Sequence, residues 1–376
     1  MIYDVVLLVV VMATLAYGVL LFISYFHFRK LNTEVPQTQV HHTVAVVVAA
    51  RNEEHNIHAL LHALEAQECS FPFEVFIVDD RSEDRTTEAV QAFWAKRNHV
   101  RVIPSQGVGK KDAITTGVHA TSADVILVTD ADCIPDRLWV QKMAEQFTDT
   151  NCVFVGGMIR PYDADGAIAK SLETETVFLQ VVSAGMYGMR SPAMCNGASM
   201  AFTRRVFMEV HGFTNDTFVS GDDVLLLQKA RWMYPAGIRW VKNPEAMVET
   251  KVPVSLADAI AQRTRWLSKI RAYAGPLMNV SGLLFLFMQL LLPLAVLLSF
   301  FFDMADNPFW LGVVLKIIVE LLLLSLAASF FRISNAVLML PVSFVMYCII
   351  SLSAVFRMMT GDIEWKGRTW RNGRVR

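Results

Sequence analysis

The sequence predicts an α/β domain, a mostly parallel sheet with helices on both faces, carried between transmembrane α-helices. Three observations predict it. Four apolar stretches are each long enough to cross a bilayer. From Thr43 to about Thr250, short apolar β-runs alternate with helical stretches, the pattern of a parallel sheet. Acidic and basic motifs fall at the carboxyl ends of those β-runs, where such sheets hold their ligands.

Only 18% of the residues are charged and 54% are hydrophobic, against roughly 25% charged in ordinary soluble domains. Val5 to Phe26, Ala274 to Phe302 and Ile333 to Phe356 carry no charge, and each can cross a hydrocarbon core of about 30 Å. Asn307 to Phe331 carries Lys316 and Glu320, four apart on one helical face, where they can neutralise each other inside a bundle. The first segment lacks a basic n-region and a small-residue cleavage site, so 1–30 reads as a retained anchor. Arg29 and Lys30 follow it, so its carboxyl end, and with it the middle of the chain, is expected in the cytoplasm.

Residues 31–42 read as a linker and 43–250 as the α/β domain. Its expected strands are Val44–Ala49, Glu74–Val78, Val100–Ile103, Val125–Thr129 and Cys152–Gly156. Its expected helices are Glu53–Gln67, Asp84–Lys96, Lys110–Ala120 and Asp136–Phe147. Residues 251–273 mix apolar side chains with Arg263, Arg265, Lys269 and Arg271, a basic amphipathic helix lying in the interface, with Ser255 and Asp258 as its capping pair. Residues 274–357 form the carboxyl-terminal membrane segments and 358–376 a basic tail. That tail favours anionic headgroups and is too short to argue for nucleic acid. The five cysteines at 69, 133, 152, 195 and 348 form no CxxC pair, which argues against a disulfide framework or a zinc site.

Asp130 and Asp132 stand i, i+2 after an apolar run. On extended backbone that spacing sends both carboxylates to one face, a pair of hard donors for Mg²⁺ or Mn²⁺. Arg51-Asn52-Glu53 and Asp79-Asp80 end two other runs; a carboxylate at 79 or 80 can accept from a base N–H or a ribose hydroxyl, or Asp80 or Ser82 can cap the next helix. Lys110, after the Gly109 turn, can meet a diphosphate or lie on a solvated helix face. It is not part of a P-loop, since Lys111 stands where Ser or Thr is required. Asp222-Asp223 opens an apolar helix, as a cap or with one acid as a general base. In "QRTRW", Gln262, Arg265 and Trp266 occupy neighbouring helical positions, fit for a diphosphate and a sugar or apolar face, or for lipid headgroups.

The ordered set RNEE, VDDRSED, GKKDA, DAD, "CNGASMAFTRR", SGDD and QRTRW resembles the inverting membrane glycosyltransferases of family 2, whose catalytic domain has the GT-A, nucleotide-sugar-binding fold. The resemblance covers about Val44 to Lys269. It implies that Glu53 and Asp79 contact the nucleotide, with Arg51, Asp80 and Lys110 beside it. It further implies that Asp130 and Asp132 serve the metal and diphosphate, and that Asp223 is the base with Asp222 beside it. Gln262, Arg263, Arg265 and Trp266 would close the donor and acceptor site. Asn196 and Gly197 match the family's acceptor-side loop, and "WKGRTW" is similar to tails of lipid-glycosylating members. Two departures stand out: Asp222 replaces the glutamate common in relatives, and Ala50 replaces a proline.

The expected protein is a cytoplasm-facing, metal-dependent transferase moving a sugar, glucose by resemblance, from a UDP-sugar to the hydroxyl of a membrane lipid. The rival readings are a processive polysaccharide synthase, a polyprenyl-phosphate sugar transferase and a non-catalytic nucleotide-sugar-binding protein. Three full carboxyl-terminal crossings would leave the basic tail outside. The expectation is therefore a cytoplasmic tail with one segment re-entrant or interfacial, the first or third, which contain Pro293 and Pro341.

Overall fold

The computed structural model describes residues 2–31, 39–94, 99–162, 165–214, 221–268, 276–301, 303, 307–331 and 336–360, together with 363–365, 368–371 and 374–375. Linker residues 32–38, residues 269–273 of the interfacial segment, and Ser220, Asp306 and Arg332 lie outside them. In chain order the strands are β1 (Val44–Ala50), β2 (Phe73–Asp79), β3 (Val100–Pro104), β4 (Val125–Asp130), β5 (Cys133–Pro135), β6 (Phe154–Gly157), β7 (Ile159–Tyr162), β8 (Met200–Thr203), β9 (Ile238–Val241), β10 (Val248–Lys251), β11 (Ile363–Trp365), β12 (Arg368–Arg371) and β13 (Arg374–Val375). The helices are α1 (Ile2–Lys30), α2 (Ile57–Glu65), α3 (Thr86–Trp94), α4 (Lys110–Ala120), α5 (Trp139–Glu145), α6 (Gly166–Gly188), α7 (Arg204–Glu209), α8 (Asp222–Met233), α9 (Leu256–Ser268), α10 (Pro276–Leu298), α11 (Pro308–Phe331) and α12 (Ala336–Thr360).

They form two compact units. The sheet unit comprises Leu31–Tyr162, Met189–Lys251 and Asp362–Arg376. Its main sheet runs β3-β2-β1-β4-β8-β6-β9. β3, β2, β1 and β4 are parallel, β8 is antiparallel to both of its neighbours, and β6 and β9 are again parallel. The β1 run from Val44 to Val48 is buried on both faces, which is why it reads as a continuous apolar run instead of an alternating one. Ile57, Leu60, Leu61 and Leu64 of α2, at helical spacing, close one side of that core. A small sheet β5-β10-β7 and a tail sheet β11-β12-β13 complete the unit.

The helical unit comprises Met1–Lys30, Asp163–Gly188 and Val252–Gly361. α1, α11 and α12 contain Tyr3–Lys30, Pro308–Ala327 and Leu338–Met359, each long and apolar enough to cross a membrane, and α10 is a further apolar helix of 23 residues. Lys316 and Glu320 pair at 2.9 Å, as their spacing predicts, and the Tyr17 hydroxyl donates to Glu320 at 2.6 Å. The structure differs from the sequence expectation of one uninterrupted domain over 43–250. α6 belongs to the helical unit, where it packs on α1 and α12, because Ala169, Leu172, Val177, Phe178, Val181 and Ala184 give it a buried apolar face.

Candidate active site

Three neighbouring strands, β2, β1 and β4, end side by side, and the polar motifs follow those ends. After β1, the buried Arg51 guanidinium donates to the carbonyls of Asp80 and Arg81 at 2.9 and 2.8 Å and to Glu83 at 3.2 Å. It pins the loop after β2 against the end of β1. Glu53 is buried and accepts from Asn56 Nδ2 at 2.7 Å, while its own N–H donates to the Thr86 hydroxyl at 2.8 Å. Asp79, closing β2, accepts from the Ser82 N–H at 3.2 Å. Neither Asp80 nor Ser82 caps α3. Asp84, two residues before α3, accepts from the Thr86 N–H at 3.0 Å in the turn that leads into the helix.

Asp80 is buried and accepts the Gly109 N–H on both oxygens, at 3.1 and 3.0 Å. Gly109 has φ 100, left-handed backbone that a side chain would strain, and the turn delivers Lys110 at the start of α4. The Lys110 ammonium lies 2.6 Å from Asp130 Oδ1 and 3.0 Å from Asp222 Oδ2. Burial works to lower its pKa and is outweighed by Asp130 and then Asp222, so it is held well above the ordinary lysine range and stays charged. Gly197 approaches the same point: a Cβ there would stand 2.8 Å from Lys110 Nζ and 2.9 Å from Asp222 Oδ2. The Asn196 side chain accepts the Ala198 N–H at 2.9 Å and shapes that turn. Four motifs that are far apart in sequence therefore meet around one ammonium.

Asp130 and Asp132 are brought together, though not as their spacing predicts. Asp130 ends β4, and Ala131 and Asp132 form a turn into β5, so a bend instead of extended backbone sets their approach. Ligand atoms of Asp130, Asp132 and Cys133 lie within 4.8 Å of one another. Burial and then Asp132 push the Cys133 thiol well above its usual range, and the two carboxylates are the hard oxygen donors of the group. Two hard oxygens fit Mg²⁺ or Mn²⁺ better than a soft metal. Asp222 and Asp223 open α8; Asp222 is buried and faces Lys110, while Asp223 is half-buried.

Gln262, Arg263, Arg265 and Trp266 lie on α9, in the helical unit, where Ser255 and Asp258 cap the helix as their spacing predicts. Arg263 is the buried arginine. It pairs with Glu175 of α6 through two nitrogens, donates to Gln262 at 2.6 Å and lies 4.0 Å over the Trp266 ring. Burial and then Arg263 lower the pKa of Arg265. Sequence reasoning missed Glu175; its one signal is an acid in a mostly apolar helix.

A glycosyl transferase family 2 model matches residues 45–210. A probable glycosyltransferase, YdaM, of Bacillus subtilis is 28% identical over 59% of this chain and 54% of its own length. An N-acetylglucosaminyltransferase of Rhizobium meliloti is 25% identical over 86% of this chain and 81% of its own length. The dolichyl-phosphate beta-glucosyltransferase of Mus musculus is 31% identical over 28% of this chain and 36% of its own. The chain spans about half the length of the first two curated relatives it matches, at 54% and 45%. Among solved structures, it resembles the mannosyltransferase PcManGT of Pyrobaculum calidifontis in complex with GDP-Man and Mn²⁺. That likeness covers 94% of this chain and 99% of the other, with a TM-score of 0.56 at 18% identity, and it is a likeness of fold.

Proposed function

We propose, from the premise that residues 45–210 are a family 2 glycosyltransferase domain of the GT-A fold, that this protein transfers a sugar from a UDP-sugar to the hydroxyl of a membrane lipid. The observation that carries the reading is the Lys110 junction, which joins the GKK, DAD and GDD motifs at hydrogen-bonding range, with Gly197 of the CNG motif packed close beside it. Glu53 and Asp79 contact the nucleotide, and Arg51 and Asp80 hold their loops in place. Lys110 offers positive charge to the diphosphate and is itself positioned by Asp222. Asp130 and Asp132 hold Mg²⁺ or Mn²⁺, which when bound neutralises charge on the leaving diphosphate. Asp223, the more exposed of its pair, takes the proton of the acceptor hydroxyl as that oxygen attacks the anomeric carbon. The sugar carbon inverts in this single displacement. Arg265 donates to the leaving group, and Gln262, Arg263 and Trp266 shape the donor and acceptor side. The catalytic domain faces the cytoplasm, where nucleotide sugars are made.

Membranes from cells expressing the chain, given labelled UDP-glucose, are expected to form a lipid-soluble, alkali-stable glycoside. Lys110→Met is expected to remove it. Label in none of the lipid fractions, with any UDP-sugar tried, would overturn the reading. A second reading, transfer to a polyprenyl phosphate, is favoured by the mouse relative's name and by the undecaprenyl-phosphate transferases of Pseudomonas aeruginosa, 37% identical over 24% of this chain. Its product is labile to mild acid, and its anionic acceptor has no proton for Asp223 to take. A processive synthase would instead give a label that stays at the origin as polymer.

A further inference from the structure

The helical unit contains a partly open cavity of about 50 Å³ between α6, α10, α11 and α12. One water needs about 10–15 Å³ by the same measure, so the cavity takes roughly three to five water-sized groups. Its walls are mostly apolar, with Phe178, Phe285 and Phe344 prominent, and a few polar side chains converge on it. Two of those are charged on α11, Lys316 and Glu320, and they satisfy each other. Lys316 also lies 3.9 Å over the Phe344 ring, and Tyr17 donates to Glu320. Glu175 is clamped by Arg263. Gln289 of α10 is different. It lines the cavity, is 3% exposed, and its Oε1 has no hydrogen-bond partner among the described residues. Its backbone carbonyl accepts from the Cys348 thiol of α12 at 3.2 Å, which fixes the residue at the helix–helix contact. A buried amide oxygen without a donor carries the full desolvation cost of that group, and an unpaired polar atom in an otherwise paired site points to a missing partner.

We infer that this cavity binds the uncharged, hydrogen-bond-donating end of a membrane lipid, with a hydroxyl or amide N–H donating to Gln289 Oε1. An apolar pocket with a few convergent polar groups is the usual form of a small-molecule site, and here it is walled by two helices long and apolar enough to cross a membrane. The charge pattern selects the head. Glu175, Glu320 and Gln289 line the space, and its one ammonium, Lys316, is already paired, so a phosphate head meets acidic residues without a free cation. A neutral donor matches the one lining oxygen without a partner among the described residues, Gln289 Oε1. The same chemistry has two sources, the acceptor alcohol of the proposed reaction or a resident neutral lipid, and the site itself does not depend on the transfer reaction.

The test uses the full chain in phosphatidylcholine nanodiscs doped with a diazirine-bearing diacylglycerol, or with the same lipid acetylated on its free hydroxyl. Labelled peptides are mapped by mass spectrometry. The free alcohol is expected to label α10 and α12 roughly tenfold more than the acetylated lipid, the effect of about one buried hydrogen bond. Gln289→Met keeps the shape without the acceptor and is expected to abolish that difference. If Gln289→Met does not fold, Ser343→Leu, which fills the cavity from α12, serves the same purpose. Equal labelling by both lipids, or an unchanged preference in a folded variant, overturns the site. A transfer assay separates the two sources. A raised KM for the lipid alcohol with unchanged kcat in Gln289→Met identifies the acceptor, and unchanged KM with lost labelling identifies a resident lipid. A silent transfer assay would count against the proposed reaction and leave the labelling result standing.

Discussion

The two units place ionisable groups in the interior by opposite routes. In the sheet unit, parallel strands deliver carboxylates to one edge, and more acids gather there than there are cations. Asp80, Asp130 and Asp222 surround the Gly109–Lys110 turn. In the helical unit the charges cancel in pairs, Lys316 with Glu320 and Arg263 with Glu175. An excess of acid suits a site that receives a cation and a diphosphate. Cancelled charge suits a hydrocarbon surrounding, where an unpaired charge is expensive, and it leaves recognition to neutral groups such as Gln289.

The sharpest way to break this contrast is to remove the acids. Asp130→Ala or Asp132→Ala is expected to nearly abolish turnover while the protein still folds, and excess chelator should do the same, with Mn²⁺ or Mg²⁺ restoring activity. Full turnover in chelator would show that the acid excess serves Lys110 alone. The Lys110 pairing should not titrate in the working range. Its folded pKa is raised, so its stabilisation is complete below the unfolded value of about 10.4 and is lost only as pH rises through the folded one.

Next in size is the base. Asp223→Asn keeps the shape of the side chain and cannot take a proton, so kcat should fall by roughly 10²–10⁴ with nucleotide binding little changed. If Asp222→Asn is the inactive variant and Asp223→Asn turns over normally, the buried acid facing Lys110 is the base, and the two assignments exchange.

A third test belongs to the helical unit. Arg263 and Glu175 are both buried, so Arg263→Ala strands a carboxylate and should cost about 3–5 kcal/mol of stability. Adding Glu175→Gln should recover part of that loss in a thermal unfolding series. If the single change costs no more than an exposed ion pair, about 0–1 kcal/mol, the pair is wetter than its burial implies.

The strand-end motifs were legible because a parallel sheet turns sequence order into spatial order: each β-run ends in the residues that share the site. The bounds of α4 match the expectation, while β1 runs one residue further than its apolar run and β2 one residue further at each end. What sequence reasoning missed depends on non-local packing. β8 lies inside the CNGASMAFTRR motif, where four strand residues leave almost no alternation to read. The DAD turn cannot be told from extended backbone by spacing alone. α6 reads as part of the α/β domain because nothing local says which unit its apolar face joins. Gln289 has no motif at all, since its significance is the absence of a partner that only the packed bundle reveals.

The smallest perturbation concerns which side of the membrane each unit faces. The tail strands β11, β12 and β13 belong to the sheet unit, so tail and catalytic unit should lie on one side. An even number of carboxyl-terminal crossings is then required. α11 and α12 supply two, and α10, interrupted by Pro293, is taken as the segment that need not cross. The excess of basic residues in the tail points to the cytoplasm. A single cysteine at Asn372, in a chain whose five native cysteines are replaced, should leave activity unchanged. It should resist a membrane-impermeant thiol reagent in intact cells and react after lysis. Labelling in intact cells would place the tail outside, make α10 a third crossing, and separate the tail from a cytoplasmic sheet unit.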